Sequence, residues 1–333
     1  MTYQIHLGDC IASMKLMPAQ SVHTCVTSPP YFGLRDYGMD GQIGLEDTPD
    51  AFVARLVEVF REVRRVLRDD GTLWLNLGDS YAAQRGGTHQ PAETLAGGRG
   101  GKGVDGERVN RDRHDGYNPT RNAAAIGLKH KDLIGIPWRV AFALQADGWY
   151  LRQDIIWHKP NPMPESVRDR CTKAHEYIFL FSKSPRYYFD SEAIKEPALN
   201  AGKRVTLGAK SFSKGQSVGA GIAPSGNGLA EHYDVLDTRN RRSVWTVTTK
   251  PFKGAHFATF PPDLIEPCIL AGAPRGGVVL DPFGGSGTTA GVAIKNGRRA
   301  ILCELNPEYA ALVPDRINSI AGDTLDMFLG AAE

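Results

Sequence analysis

The chain has 333 residues, 41% of them hydrophobic, with 39 Lys and Arg against 37 Asp and Glu and a formal net charge of +2. That is enough apolar material for one large α/β domain or a domain with an insertion, and too little charge bias to point to a nucleic-acid partner by itself. The five cysteines (Cys10, Cys25, Cys171, Cys268, Cys303) are scattered and show no C-x-x-C spacing, so neither disulfides nor a metal site is expected; a reducing cytoplasm fits, with no signal peptide and no membrane span.

In chain order, residues 3–9 read as a short strand ending in Gly8-Asp9, followed by a helical turn or two from Ile11 to Leu16 that Pro18 stops. Ser21 to Val26 reads as a buried strand that feeds Thr27-Ser28-Pro29-Pro30-Tyr31. Two consecutive prolines fix two φ angles and remove two N–H donors. What remains is a stiff turn offering carbonyl oxygens, the Ser28 hydroxyl and an aromatic ring, an inventory suited to a planar amino group. The plain alternative is a Pro-Pro turn with a packing tyrosine. Cys25 beside it reads as a small buried hydrophobe. Phe32 to Glu46, with Gly33, Gly38, Gly41 and Gly44, reads as a flexible loop next to this turn.

Asp47-Thr48-Pro49-Asp50 predicts a helix start, and Phe52, Leu56, Val59, Phe60, Val63, Val66 and Leu67 follow at helical spacing until Asp69-Asp70-Gly71. Arg64, Arg65 and Arg68 read as its solvated face. Thr72 to Leu77 is a buried strand ending in Gly78-Asp79-Ser80-Tyr81, and the strand–helix–strand order implies parallel pairing. Residues 83–125 are rich in Gly and Arg and poor in apolar residues, which reads as a flexible loop. A helix is expected over Arg139–Ala146, a strand over Trp149–His158, a rigid loop at Lys159-Pro160-Asn161-Pro162-Met163-Pro164, and a strand over His175–Ser182. The last two strands predict an antiparallel edge on a mostly parallel sheet. Residues 186–250 turn rich in Gly, Ser and Asn, with Lys203, Arg204, Lys210, Lys214, Arg239, Arg241, Arg242 and Lys250 interleaved with Tyr187, Tyr188, Tyr233 and Trp245; this reads as an inserted recognition region or, more blandly, a variable surface insertion.

Gly277 to Leu280 is a short strand running into Asp281-Pro282-Phe283-Gly284-Gly285-Ser286-Gly287-Thr288-Thr289. A helix from about Ala290 to Asn296 and a strand from Arg299 to Cys303 follow, closed by Glu304. Strand, glycine turn, helix, strand and acid make a mononucleotide-binding unit, in which glycines let the backbone approach the ligand and the acid accepts ribose hydroxyls. Alone, it suits either a dinucleotide or an adenosyl cofactor.

Together the two stretches resemble the amino-directed DNA methyltransferases. Ser28-Pro29-Pro30-Tyr31 resembles that family's catalytic motif, Asp281 to Thr289 its S-adenosylmethionine loop, His256-Phe257-Ala258-Thr259-Phe260-Pro261 the cofactor segment before that loop, and Gly8-Asp9 the acidic position near the cofactor adenine. Catalytic motif, insertion, then cofactor motif is the circularly permuted order of the family's beta class. The resemblance implies a Rossmann-like S-adenosylmethionine-dependent methyltransferase fold, divided as residues 1–185 (catalytic half), 186–250 (target-recognition insertion) and 251–333 (cofactor half). It implies Ser28, Pro29, Pro30 and Tyr31 as catalytic. It implies Asp9, Phe257, Ala258, Thr259, Phe260, Asp281, Phe283, Gly285, Ser286, Gly287, Thr288 and Glu304 as cofactor-binding.

It further implies S-adenosylmethionine as cofactor, double-stranded DNA as partner, a bacterial or phage-encoded cytoplasmic enzyme of the restriction-modification kind, no metal, and room for a homodimer. The target base would be flipped out, stacked on Tyr31, and held by its amino hydrogens on the Ser28 hydroxyl and the Pro29 carbonyl. Ser28 stands where adenine enzymes commonly have Asp, which tilts the reading slightly to N4 of cytosine over N6 of adenine. The alternatives are an RNA or protein-amide methyltransferase using the same turn, a nicotinamide oxidoreductase, and a DNA-binding protein without catalysis.

Overall fold

The computed structural model describes residues 2–34, 36–83, 124, 126–199, 201, 204–206, 222–224, 232–235, 237–249 and 260–322. The first half runs β1 (Tyr3–Leu7), α1 (Cys10–Lys15), β2 (Val22–Thr27), α2 (Pro49–Val66), β3 (Leu67–Leu77), α3 (Ile136–Ala146), β4 (Tyr150–His158) and β5 (His175–Ser182). Short strands follow: β6 (Glu196–Pro197), β7 (Arg204–Thr206), β8 (Ile222–Pro224), β9 (His232–Val235), β10 (Thr238–Arg239) and β11 (Val244–Thr246). The chain then forms α4 (Pro262–Gly272), β12 (Val278–Asp281), α5 (Thr288–Lys295), β13 (Arg299–Glu304), α6 (Pro307–Ala311) and α7 (Val313–Ala321).

The main sheet has eight strands in the order β1-β13-β12-β2-β3-β5-β4-β11, and every strand except β5 runs the same way. The mostly parallel α/β architecture expected from the strand–helix–strand order is therefore present. The reversed strand, however, lies inside the sheet. The return of the 186–250 segment supplies β11, which pairs parallel with β4 through Trp245 opposite Trp157 and takes the edge.

Side chains alternate between two cores, as strand geometry requires. Cys25, Leu73, Leu75 and Leu280 face one side, where Phe52, Leu56, Val59, Phe60 and Val63 of α2 and Val140 and Leu144 of α3 cover them. Val26, Trp74 and Val279 face the other, under α4, α5 and α7. α2 starts where its sequence predicts: the Thr48 hydroxyl accepts from the Ala51 N–H at 3.1 Å and Pro49 occupies the first turn. It ends earlier than the Asp69-Asp70-Gly71 signal. Leu67 is already extended, and the register jumps from Val22–Leu67 to Thr24–Thr72, so that Arg68 to Gly71 bulge within β3. Arg65 is also not simply solvated, because its guanidinium donates to the Met14 and Met17 carbonyls and ties α1 down.

Residues 84–123, in the loop expected over 83–125, lie outside the described residues. Of the 186–250 segment, the ends dock on the main domain: the Tyr188 N–H donates to the Asp70 carbonyl, the Asp190 N–H to the Ala271 carbonyl, and β11 joins the sheet. Among the described residues no helix is long and apolar enough to cross a membrane.

Candidate functional site

The parallel register brings the carboxyl ends of β1, β13, β12, β2 and β3 to one rim, and in such sheets ligands bind outside that rim. His6 pairs with Cys303, Leu280 with Cys25 and Thr27 with Leu75. Gly8-Asp9, Glu304, Asp281 and Ser28 consequently converge on one pocket, although Ser28 and Asp281 are far apart in sequence. Ser28, Pro29, Pro30, Tyr31, Asp9, Phe260, Asp281, Phe283, Gly285, Ser286, Thr288 and Glu304 all line it. Phe257, Ala258 and Thr259 lie outside the described residues. Gly287 starts α5 at φ +92°, and a Cβ there would sit 2.8 Å from Cγ1 of Val313 on α7, so packing requires glycine at this position.

At the β12 end, Asp281 is 2% exposed and its carboxylate takes three hydrogen bonds from within the fold. The Thr27 hydroxyl donates to Oδ1 at 2.6 Å, the Thr289 hydroxyl to Oδ2 at 2.6 Å, and the Phe283 N–H to Oδ1 at 3.0 Å. Burial pushes this carboxyl above the usual range, and those hydrogen bonds pull it back. Of the two roles the sequence leaves to Asp281, contact with a ligand or ordering of the loop, this bonding favours ordering; it also ties β12 to the Ser28–Tyr31 turn through Thr27. Glu304 works similarly. Its Oε2 accepts from the Gly285 N–H at 2.7 Å and its Oε1 from the Asn306 N–H at 2.8 Å, while burial pushes the carboxyl up. Each oxygen keeps a second lone pair for a hydroxyl in the pocket.

Two features suit an adenosyl cofactor here. The Ser286 hydroxyl is 3% exposed and has no hydrogen-bond partner, an unsatisfied group that a carboxylate or ammonium would satisfy. Gly285 sits at φ +52° with only the Phe283 carbonyl near where a Cβ would be, so its backbone is open to close approach. Asp9 caps α1 through the Ala12 N–H at 2.8 Å and faces Arg55 at 3.5 Å, with its carboxylate at the pocket edge. Among the described residues no cluster of His, Cys, Asp and Glu is placed to hold a metal. Burial pushes the Cys10 thiol up to about 12 and raises that of Cys303 as well, which favours the protonated thiol at both. Cys25 is fully buried, as a hydrophobe should be.

Across the pocket, the loop expected to be flexible forms a wall. Gly33 N–H donates to the Gly44 carbonyl at 2.7 Å, closing its neck, and Leu34, Tyr37, Met39, Gln42 and Ile43 line the cavity. The Tyr37 ring meets Tyr309 edge-on at 6.3 Å.

Sequence reasoning missed the residues that hold Tyr31. Its phenol donates to Glu176 Oε2 at 2.7 Å and lies 3.4 Å from Asn76 Oδ1. Its ring rests on Gly78, where an added Cβ would fall 2.4 Å from Cε2. Burial raises the phenol's pKa well above its ordinary value, and the Glu176 charge raises it further. The one available signal was a lone acid opening an otherwise apolar strand.

The basic residues of the 186–250 segment divide. Arg239 and Arg242 pair with Glu196 at 2.9 and 3.1 Å, and Arg241 lies over the Trp245 ring at 4.8 Å, so these three build the segment itself. The side chains of Lys203, Arg204, Lys210, Lys214, Tyr233 and Lys250 lie outside the described residues.

A family model described as DNA methylase matches residues 22–314. The Type II methyltransferase M.XycI of Xanthomonas campestris pv. cyanopsidis is 47% identical over 315 residues, covering 93% of this chain and 86% of its own. Two solved structures share the fold. TTHA0409 of Thermus thermophilus, complexed with S-adenosyl-L-methionine, aligns with a TM-score of 0.55 at 24% identity, over 97% of both chains. The PvuII DNA methyltransferase (cytosine-N4-specific) aligns with a TM-score of 0.60 at 17% identity, over 98% of this chain and 93% of that one.

Proposed function

This chain belongs to the family of DNA methylases, and we propose that it transfers a methyl group from S-adenosylmethionine to N4 of a cytosine extruded from duplex DNA. The observation that carries this reading is the convergence of Ser28–Tyr31 and the Asp281–Glu304 unit on one pocket. One end offers acceptors and an aromatic ring, the other a glycine cradle and an acid.

The bound cofactor supplies the electrophilic methyl. The protein's own residues do the rest by position and electrostatics. Glu304 accepts ribose hydroxyls, the Ser286 hydroxyl and the backbone at Gly285 hold the methionine end, and Asp281 keeps that loop in shape. On the opposite wall Tyr31 stacks on the extruded base. The Ser28 hydroxyl and the Pro29 carbonyl accept the two amino hydrogens. An exocyclic amino nitrogen is a poor nucleophile because its lone pair is delocalised into the ring. Acceptors out of the ring plane favour a pyramidal nitrogen and direct its lone pair at the methyl. The proton leaves after transfer, so no side chain has to act as a strong base.

Ser28 at the acceptor position favours cytosine. Residues 186–250 form the target-recognition insertion, set between a catalytic half at 1–185 and a cofactor half at 251–333. Its docked ends support this division, and the reading of the DNA sequence falls to side chains between those ends. The test is transfer of labelled methyl to parallel substrates. Label entering unmethylated duplex DNA, and neither RNA nor protein, is the expected result; label in RNA or protein instead contradicts it.

A further inference from the structure

The Tyr31 phenol ends in a buried ionic arrangement that the chemistry described above does not use. Glu176 is the second residue of β5, the one reversed strand of the main sheet, so it lies at the same rim as the carboxyl ends of the others. Its Oε2 accepts from the Tyr31 phenol at 2.7 Å and from Asn76 Nδ2 at 3.3 Å. Its Oε1 takes the Lys159 ammonium, with both side chains under 20% exposed (19% and 16%). Asn76 is itself fixed by donating to the Tyr177 carbonyl at 3.0 Å. Lys159 is fixed from behind, its ammonium 4.2 Å from the Trp157 ring centre. Two residues on, Asn161 exchanges a reciprocal pair of hydrogen bonds with the Thr249 backbone at 3.2 and 3.0 Å. A half-buried ion pair adds little stability by itself, so its placement on the tip of the stacking ring calls for another explanation.

We propose that Glu176, held by Lys159 and Asn76, is a positioning residue for methyl transfer: it clamps the Tyr31 phenol, presses the ring onto Gly78, and so sets the plane on which the target base stacks. This rests on the reading of Tyr31 as the stacking residue.

The test is a double-mutant cycle of Glu176→Gln and Tyr31→Phe, read as the single-turnover rate of methyl transfer to unmethylated genomic DNA, with cofactor Kd and thermal midpoint measured on each variant. Each single variant should lose about tenfold in rate, with cofactor Kd within about twofold of the parent. Adding Glu176→Gln to Tyr31→Phe should cost less than about a further twofold, because the clamp then has nothing to hold. Tyr31→Phe removes only a hydroxyl, so it preserves a test of the clamp if Glu176→Gln folds poorly. Equal losses from Glu176→Gln in both backgrounds, or a loss confined to cofactor Kd, would overturn the proposal while leaving the stacking reading intact. Full activity of Tyr31→Ala would overturn the stacking reading and the proposal with it.

Discussion

The two walls of the pocket are built on different plans. The cofactor wall comes mainly from one contiguous βαβ unit, and backbone N–H groups hold its two acids: Gly285 and Asn306 donate to Glu304, and Phe283 donates to Asp281, which the Thr27 and Thr289 hydroxyls also engage. The base wall is a five-residue turn whose key ring is held by side chains from three other strands or their flanks, Asn76, Glu176 and, through it, Lys159. The backbone-built wall suits a ligand that never varies. The side-chain-built wall fixes the plane of the Tyr31 ring, which is what the proposed stacking of a base on it requires.

Substitutions should separate the walls. The largest effect belongs to Asp281→Ala. It leaves the Thr27 and Thr289 hydroxyls and the Phe283 N–H without their acceptor in a buried site, and because Thr27 precedes Ser28 it damages both walls. A loss of ~3 kcal/mol or more in unfolding free energy by urea titration is expected, with cofactor binding lost as well. Wild-type stability would show that the walls are not tied through this carboxylate.

Tyr31→Ala should act on one wall alone. Loss of stacking worth ~1–3 kcal/mol predicts a fall of roughly 10- to 100-fold in turnover, with cofactor Kd within about twofold by calorimetry. A large change in cofactor Kd would erase the distinction. Ser286→Ala is the mirror experiment. Removing an unpartnered buried hydroxyl should leave stability unchanged but weaken cofactor binding about five- to tenfold, with the rate at saturating cofactor preserved.

The smallest effect is on pH dependence. Burial raises the Glu304 carboxyl above its ordinary value. The ionised form, with its full set of acceptor lone pairs, is therefore lost at a higher pH than an unperturbed glutamate would allow. Cofactor affinity should fall as pH drops through that raised value, and Glu304→Gln should flatten the fall. The free protein responds in the opposite sense: protonation is easier folded than unfolded, so this group's contribution to stability is present at acid pH and lost as pH rises through the raised value. Calorimetric titration between mildly acid and neutral pH checks the first, and urea unfolding over the same range the second.

The same contrast explains what the sequence revealed. Gly285 and Glu304 touch across 19 residues of one supersecondary unit, so their spacing announced the contact. Tyr31 and Glu176 are 145 residues apart, and Thr27 and Asp281 254 apart; only the strand order β12-β2-β3-β5 makes them neighbours. The packing of Gly287 against Val313 of α7 is likewise invisible in the motif's pattern. The β4–β5 pair looked like the sheet's end because the short Val244–Thr246 strand carries almost no periodic signal. Arg239, Arg241 and Arg242 read as part of a basic recognition region because composition cannot reveal that Glu196 and Trp245 engage them.

The most direct test of the central claim is the identity of the modified base. Unmethylated genomic DNA incubated with the protein and S-adenosylmethionine, digested to nucleosides and analysed by mass spectrometry, should yield N4-methylcytosine. N6-methyladenine would contradict the choice of base and the weight placed on Ser28. A base methylated at ring carbon, or no methylated base from protein that binds the cofactor, would contradict the amino-directed chemistry itself.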